Sequence, residues 1–257
     1  MRTLVALFAG LLVATAGSAN AADAPGYSGA ESVMYSANST HDWTGFYVGA
    51  MGGIASFNSN WDTIYGTYEG GPSDINPTSV ARINSVGGIL GVTAGYNFQV
   101  SPEAVLGIEG DIGFTNLNGS DVCLGDNTYY HATCAAKVNW LASVAGRAGF
   151  AADRTLVFGK AGLAVGSFSY DIGNFNFSAP EYNTVTETRY GMLLGAGIEQ
   201  ALTDTISAKV EVDYMDFGSK RVNFSSGCGT LCYSSDFGTD IANKVILGKV
   251  GINVKLQ

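Results

Sequence analysis

From Trp43 onward, apolar residues alternate with small or polar ones in eight segments, approximately 44–56, 86–99, 104–114, 138–151, 155–169, 188–201, 206–217 and 244–256. A side-chain period of two marks a β-strand with two unlike faces. Each segment is long enough for the roughly 9–11 tilted residues that carry a strand across a bilayer. Short turns at Val100–Glu103, Ala152–Arg154 and Leu202–Thr205 alternate with long polar stretches near 57–85, 115–137, 170–187 and 218–243. This strict alternation predicts an all-β fold, an eight-stranded antiparallel up-and-down transmembrane β-barrel with short periplasmic turns and long extracellular loops. A soluble sandwich would not require that regularity.

The charges follow the same period. In the seventh segment Ile206, Ala208, Val210, Val212 and Tyr214 share one parity, and Lys209, Glu211 and Asp213 share the other. The third segment sets Leu106, Ile108, Ile112 and Phe114 against Glu109 and Asp111. The sixth sets Tyr190, Met192, Leu194, Ala196 and Ile198 against Arg189 and Glu199. Arg147, Lys160 and Lys249 share parity with the small residues of their strands. A cation on the lipid face near the midplane costs roughly 2–4 kcal/mol, so these charges are expected to point inward. Five acids and five bases make a balanced set. Because an eight-stranded barrel is filled by its own side chains, that set is expected to plug the lumen with paired charges. Aromatics near the segment ends, namely Trp43, Phe46, Tyr96, Phe98, Phe114, Trp140, Phe150, Tyr190, Tyr214 and Phe217, read as interfacial girdles.

Composition supports a membrane barrel and narrows the partners. Only 14% of the 257 residues are charged, against a usual share of roughly 25%, and 35 are glycine. The net charge of −9 argues against a nucleic-acid partner, which needs a basic face. Residues 1–21 read as a signal peptide, with Arg2 before the apolar run Leu4 to Val13 and Ala19-Asn20-Ala21 at the cleavage site. Residues 22–42 read as a flexible periplasmic lead-in and 43–257 as the barrel domain. No later stretch has 18 or more predominantly apolar residues, so a membrane-spanning portion must be a closed barrel.

The long loops hold what other chemistry there is. Cys123, Cys134, Cys228 and Cys232 all fall in stretches assigned to loops, in an oxidising setting. Local disulfides Cys123–Cys134 and Cys228–Cys232 would stiffen loop tips, although four cysteines allow three pairings. A zinc site would want CxxC-type spacing with nearby histidines, and the only histidines are His41 and His131. No metal and no cofactor is therefore assigned. His131 beside Tyr129 and Tyr130 is the one cluster that could contact a haem. Catalysis in the barrel wall would need a serine activated by a histidine on a strand, which neither histidine supplies, so no enzyme is expected. The loops carry Asp62, Glu69, Asp74, Asp121, Asp126, Asp171, Glu181, Glu187, Asp236 and Asp240 against few bases.

Several motifs in order resemble a known family. They are Trp43-Thr44-Gly45-Phe46-Tyr47-Val48-Gly49, Gly95-Tyr96-Asn97-Phe98-Gln99, Gly107-Ile108-Glu109-Gly110-Asp111 and Ala145-Gly146-Arg147-Ala148-Gly149-Phe150. Gly195-Ala196-Gly197-Ile198-Glu199, Ala208-Lys209-Val210-Glu211-Val212-Asp213-Tyr214 and Asp216-Phe217-Gly218 continue the series. The series is similar to the small outer-membrane β-barrels of alphaproteobacteria, which include opacity-type surface proteins and major surface antigens often labelled porin-family proteins. The resemblance spans roughly 43–256. It implies a structural and surface role in the outer membrane, with outer-membrane lipid, lipopolysaccharide and the barrel-assembly machinery as partners. It also leaves open porin-like diffusion of small solutes, or binding of haemin or a host factor by the extracellular loops. The family usually ends on a phenylalanine that the assembly machinery reads; here Leu256 takes the aromatic position and Gln257 follows.

Overall fold

A computed structural model describes residues 41–66, 81–124, 132–173, 183–224 and 237–256. The proposed signal peptide and most of the lead-in lie outside the described residues, as do the tips of the long loops. Eight strands follow one another: β1 Gly45–Gly66, β2 Ala81–Gln99, β3 Ala104–Leu124, β4 Ala132–Ala152, β5 Thr155–Gly173, β6 Asn183–Ala201, β7 Ile206–Phe224 and β8 Phe237–Lys255. Each pairs antiparallel with its sequence neighbour, and β8 closes on β1, so the sheet is a closed eight-stranded barrel. Closure removes the exposed edges that an open sheet would leave. The short turns are where the alternation places them. The tightest is Asp153-Arg154, where Asp153 adopts φ 50°, a left-handed conformation that aspartate tolerates.

The strands are longer than the alternation suggested. At 19 to 22 residues and about 3.3 Å per residue, strands tilted by about 40° rise on the order of 45 Å or more. The apolar band they must match is only about 25 Å tall. Exposed apolar residues concentrate in the lower part, from Phe46 to Ile54 on β1, Leu106 to Phe114 on β3, Tyr190 to Ile198 on β6 and Ile246 to Val254 on β8. Beyond it, stretches assigned to loops continue as strand.

Polarity inverts at that level. Asn58, Asn60, Asn84, Asn118 and Lys137 face away from the core, while Phe57, Trp61, Ile83, Leu117 and Val138 are buried. The reason is solvent: outside the hydrocarbon a strand keeps apolar residues from water by turning them inward. Bulges mark the transition between Phe114 and Leu117, Val138 and Trp140, and Asp216 and Ser219. On β4 and β7 the inward parity changes across the bulge, from odd residues such as Arg147 and Glu211 to even ones such as Val138 and Val222. Gly218, at φ 63°, supplies the left-handed residue of the β7 bulge.

Candidate functional site

The inward face of the band is where the charges gather. Lys160 on β5 stands at the centre, its Nζ 3.1 Å from Glu109, 3.0 Å from Asp111, 2.5 Å from Glu211 and 3.4 Å from Asp213. Lys249 on β8 reaches Asp213 at 2.7 Å, Glu211 at 2.8 Å and Asp111 at 3.4 Å. Lys209 on β7 pairs with Glu109 at 2.8 Å and Glu211 at 3.3 Å. Arg147 on β4 joins Glu109 at 3.3 Å to Glu199 at 2.8 Å, with its guanidinium 4.0 Å from the centroid of the Phe158 ring. All these residues are buried.

Glycines opposite these side chains make the room. A Cβ on Gly195 would collide with Asp213, and one on Gly95 would collide with the Tyr47 phenol. Neutral donors complete the shell. Tyr47 donates to Glu109 at 2.8 Å and accepts from Arg147 at 2.9 Å. Ser143 donates to Asp111, and Ser207 and Asn253 donate to Glu199. Glu109, Asp111 and Glu211 bring carboxylate oxygens within 4.8 Å of one another, the spacing of a cation site. The Lys160 ammonium already sits among these three carboxylates and serves as their cation.

Nine of the ten charges expected inside form this one network; the tenth stands elsewhere. Arg189 is buried higher on β6, where Nη1 donates to the Ile241 carbonyl at 2.7 Å and the guanidinium lies 5.1 Å from the centroid of the Tyr170 ring. The connected network therefore holds five acids (Glu109, Asp111, Glu199, Glu211, Asp213) and four bases (Arg147, Lys160, Lys209, Lys249). The even balance read from parity omitted height, because Arg189 and Lys249 share a face but not a level.

Above the network the lumen is mostly apolar, with Ser59, Asn243 and Arg189 buried among the aromatic rings. Phe57, Trp61, Phe168, Tyr170, Phe217 and Phe224 form a contiguous cluster with aliphatic neighbours, Trp61 stacking on Phe224 and Phe168 on Tyr170. Phe57, Trp61, Tyr170 and Phe224 fall in stretches that the alternation reads as loops. The signal was the continued alternation of Phe57, Ser59 and Trp61 against Asn58 and Asn60, with outward and inward polarity exchanged. Below the network Trp43, Val105, Ala151, Leu156, Phe158 and Ala201 make a second apolar layer.

Other positions differ from the sequence expectation or lie outside the described residues. Of the girdle residues, Phe46, Phe98, Phe114, Phe150, Tyr190 and Tyr214 are exposed, and Tyr96 and Trp140 partly so. Trp43 and Phe217 are buried in the barrel instead; each has the inward parity of its neighbours Tyr47 and Met215. Cys134 lies buried on β4, not in a loop, and is not a free thiol. Cys123 is on β3, but its side chain is outside the described set, as are Cys228 and Cys232. The Tyr129-Tyr130-His131 cluster also falls outside it. Among the loop acids, Asp62, Asp121, Asp171, Glu187 and Asp240 sit on strand extensions; Glu69, Asp74, Asp126, Glu181 and Asp236 are not described. Leu256 is exposed at the band edge, and its N–H donates to the Phe46 carbonyl at 2.7 Å, extending the β8–β1 closure by one residue.

Comparisons with known proteins agree with this architecture. The 22 kDa outer membrane protein of Rhizobium leguminosarum bv. viciae is 30% identical over 217 residues, covering 83% of this chain and 78% of the relative. The 31 kDa outer-membrane immunogenic protein of Brucella melitensis is 29% identical over 185 residues, covering 71% of this chain and 75% of the relative. Among solved structures, the outer membrane protease OmpT of Escherichia coli aligns with a TM-score of 0.50 at 9% identity, covering 82% of this chain and 97% of that one, a likeness of fold alone. Residues 8–236 match the outer membrane protein beta-barrel domain. An apolar outer band, a closed eight-strand wall and this match over most of the chain place the protein in the outer membrane, as a member of the outer membrane protein β-barrel domain family.

Proposed function

We propose that the protein is a non-conducting anchor that displays a surface, not a solute channel or an enzyme. The observation that carries this reading is the filling of the lumen, with aromatic residues stacked on a salt-bridged layer and a second apolar layer beneath. Water and small solutes would have to break ion pairs at Lys160 and then separate Phe168 from Phe217, whose ring centroids are 4.8 Å apart. An eight-stranded wall leaves little interior beyond its own side chains. The polar strand extensions then act as a rigid stalk that lifts the extracellular loops off the membrane. The proposed partners are outer-membrane lipid and lipopolysaccharide around the band, the barrel-assembly machinery during insertion, and an extracellular ligand at the loops.

A disulfide between Cys123 and Cys134 fits this stalk. β3 and β4 pair from Asp121↔Cys134 to Leu124↔Ala132 with a bulge at position 123, so the two cysteines lie on adjacent strands. The functional reading is tested by swelling of proteoliposomes in small sugars. No swelling above that of empty vesicles is expected, and swelling that scales inversely with sugar size would overturn the proposal.

A further inference from the structure

The barrel wall is not sealed equally all round. The β6–β7 ladder stops at Met192↔Asp216, although β6 begins at Asn183 and β7 runs to Phe224. The outer neighbours continue: β5–β6 pairs up to Ile172↔Asn183, and β7–β8 up to Phe224↔Phe237. The β7 bulge between Asp216 and Ser219 falls where that ladder ends. The β2–β3 ladder also ends early, at Ile89↔Thr115, but side chains stitch it shut. Asn116 accepts from the Gly88 N–H at 2.6 Å, Ser85 donates to the Asn118 carbonyl at 2.6 Å, and Asp121 accepts from the Arg82 N–H at 3.1 Å. Across the β6–β7 seam above Met192, Lys220 pairs with Glu187 at 3.2 Å.

Behind that latch lies a cation with donors to spare. The charges run inward in order: Lys220 half-exposed, Glu187 partly exposed, and Arg189 buried, with only 3% of its surface accessible. Arg189 Nε faces Glu187 at 3.7 Å, too long for a hydrogen bond, and neither Nε nor Nη2 has a hydrogen-bond partner among the described residues. A buried guanidinium with unmet donors is costly unless an anion completes it. The level is informative. Tyr190, the next residue, is 75% exposed and belongs to the upper aromatic girdle, which marks the lipid headgroup plane.

We infer that the β6–β7 seam is a lateral binding site for a phosphate-bearing lipid of the outer leaflet. Its phosphate displaces Glu187 and is held between Arg189 and Lys220, while its chains stay in the bilayer against Tyr190 and Met192. Glu187 is then a placeholder anion whose removal strengthens binding, which a purely structural ion pair would not do. This inference rests on the barrel's placement in the outer membrane and not on the lumen being closed.

The test is native mass spectrometry of the full-length folded protein in detergent with diphosphoryl lipid A, beside the same lipid stripped of its phosphates. Wild type is expected to retain the diphosphoryl form preferentially. Arg189→Gln should weaken retention about tenfold, the loss of roughly one charge-assisted hydrogen bond. Arg189→Lys, which keeps the charge if the glutamine variant misfolds, should fall between them. Glu187→Gln should raise retention above wild type. Equal retention of both lipid forms, or unchanged retention in Glu187→Gln, would overturn the site. Displacement of the lipid by millimolar inorganic phosphate would assign the site to the free anion and overturn the lipid assignment.

Discussion

Tyr47 faces Gly95 across the β1–β2 ladder, and its phenol fills the volume that a Cβ at Gly95 would need. That contact aims the hydroxyl at Glu109 and Arg147. Gly95→Ala should push the ring off both partners and lower stability by about 1–3 kcal/mol, the usual penalty for overpacking. Urea unfolding in detergent measures it, and an unchanged midpoint would show that the ring is free to shift.

The excess acid in the mid-barrel network ranks its members. Lys160→Met leaves five acids facing three bases and removes the contact common to four carboxylates, so it should cost most, about 3–5 kcal/mol. Glu109→Gln strips a partner from Lys160, Lys209 and Arg147 and should come second. Asp213→Asn, which relieves the excess negative charge, should cost least. The order of the three unfolding free energies is the check, and Asp213→Asn ranking first would contradict the network as described.

The aromatic stalk should be stable in its own right. Trp61→Ala removes a fully buried indole and should cost about 3–5 kcal/mol while leaving membrane insertion intact, because Trp61 lies above the apolar band. Comparison of heat-modifiable gel migration with chemical unfolding separates the two effects: migration is expected to persist while the unfolding midpoint falls.

The short-turn end contains a measurable titration. His41 stacks edge-on against Trp43 at 4.7 Å, and burial, with repulsion from Lys255 and Arg154, holds its pKa below the ordinary 6.5. A lowered histidine pKa means that folding favours the neutral ring. Its stabilising effect is therefore complete above about pH 6.5 and is lost as pH falls through the lower folded-state value. Only His41 and His131 contribute imidazole signals, so NMR titration of wild type and His131→Gln isolates His41. A midpoint at or above 6.5 would contradict the packing of this end.

Parity made much of the barrel legible, since a one-residue slip would put Glu109 or Lys209 into lipid. It could not give height along the axis, and so grouped Arg189 with a network it does not join. Trp43 and Phe217 fit a girdle by their place near strand ends, but their parity points them inward. The upper wall was hidden for a different reason. Asn58 and Asn60 beside Phe57 and Trp61 satisfy the same period as the band, but with the faces exchanged, and bulges at Val138 and Asp216 reset the parity on β4 and β7. An alternation test that requires an apolar outer face stops where the lipid stops.

The proposed closure of the lumen is tested most directly by single-channel recording in planar bilayers. If the Lys160 network and the Phe168 layer close the lumen as proposed, full-length folded protein should give a flat baseline at either polarity. Steady, uniform open steps would contradict it.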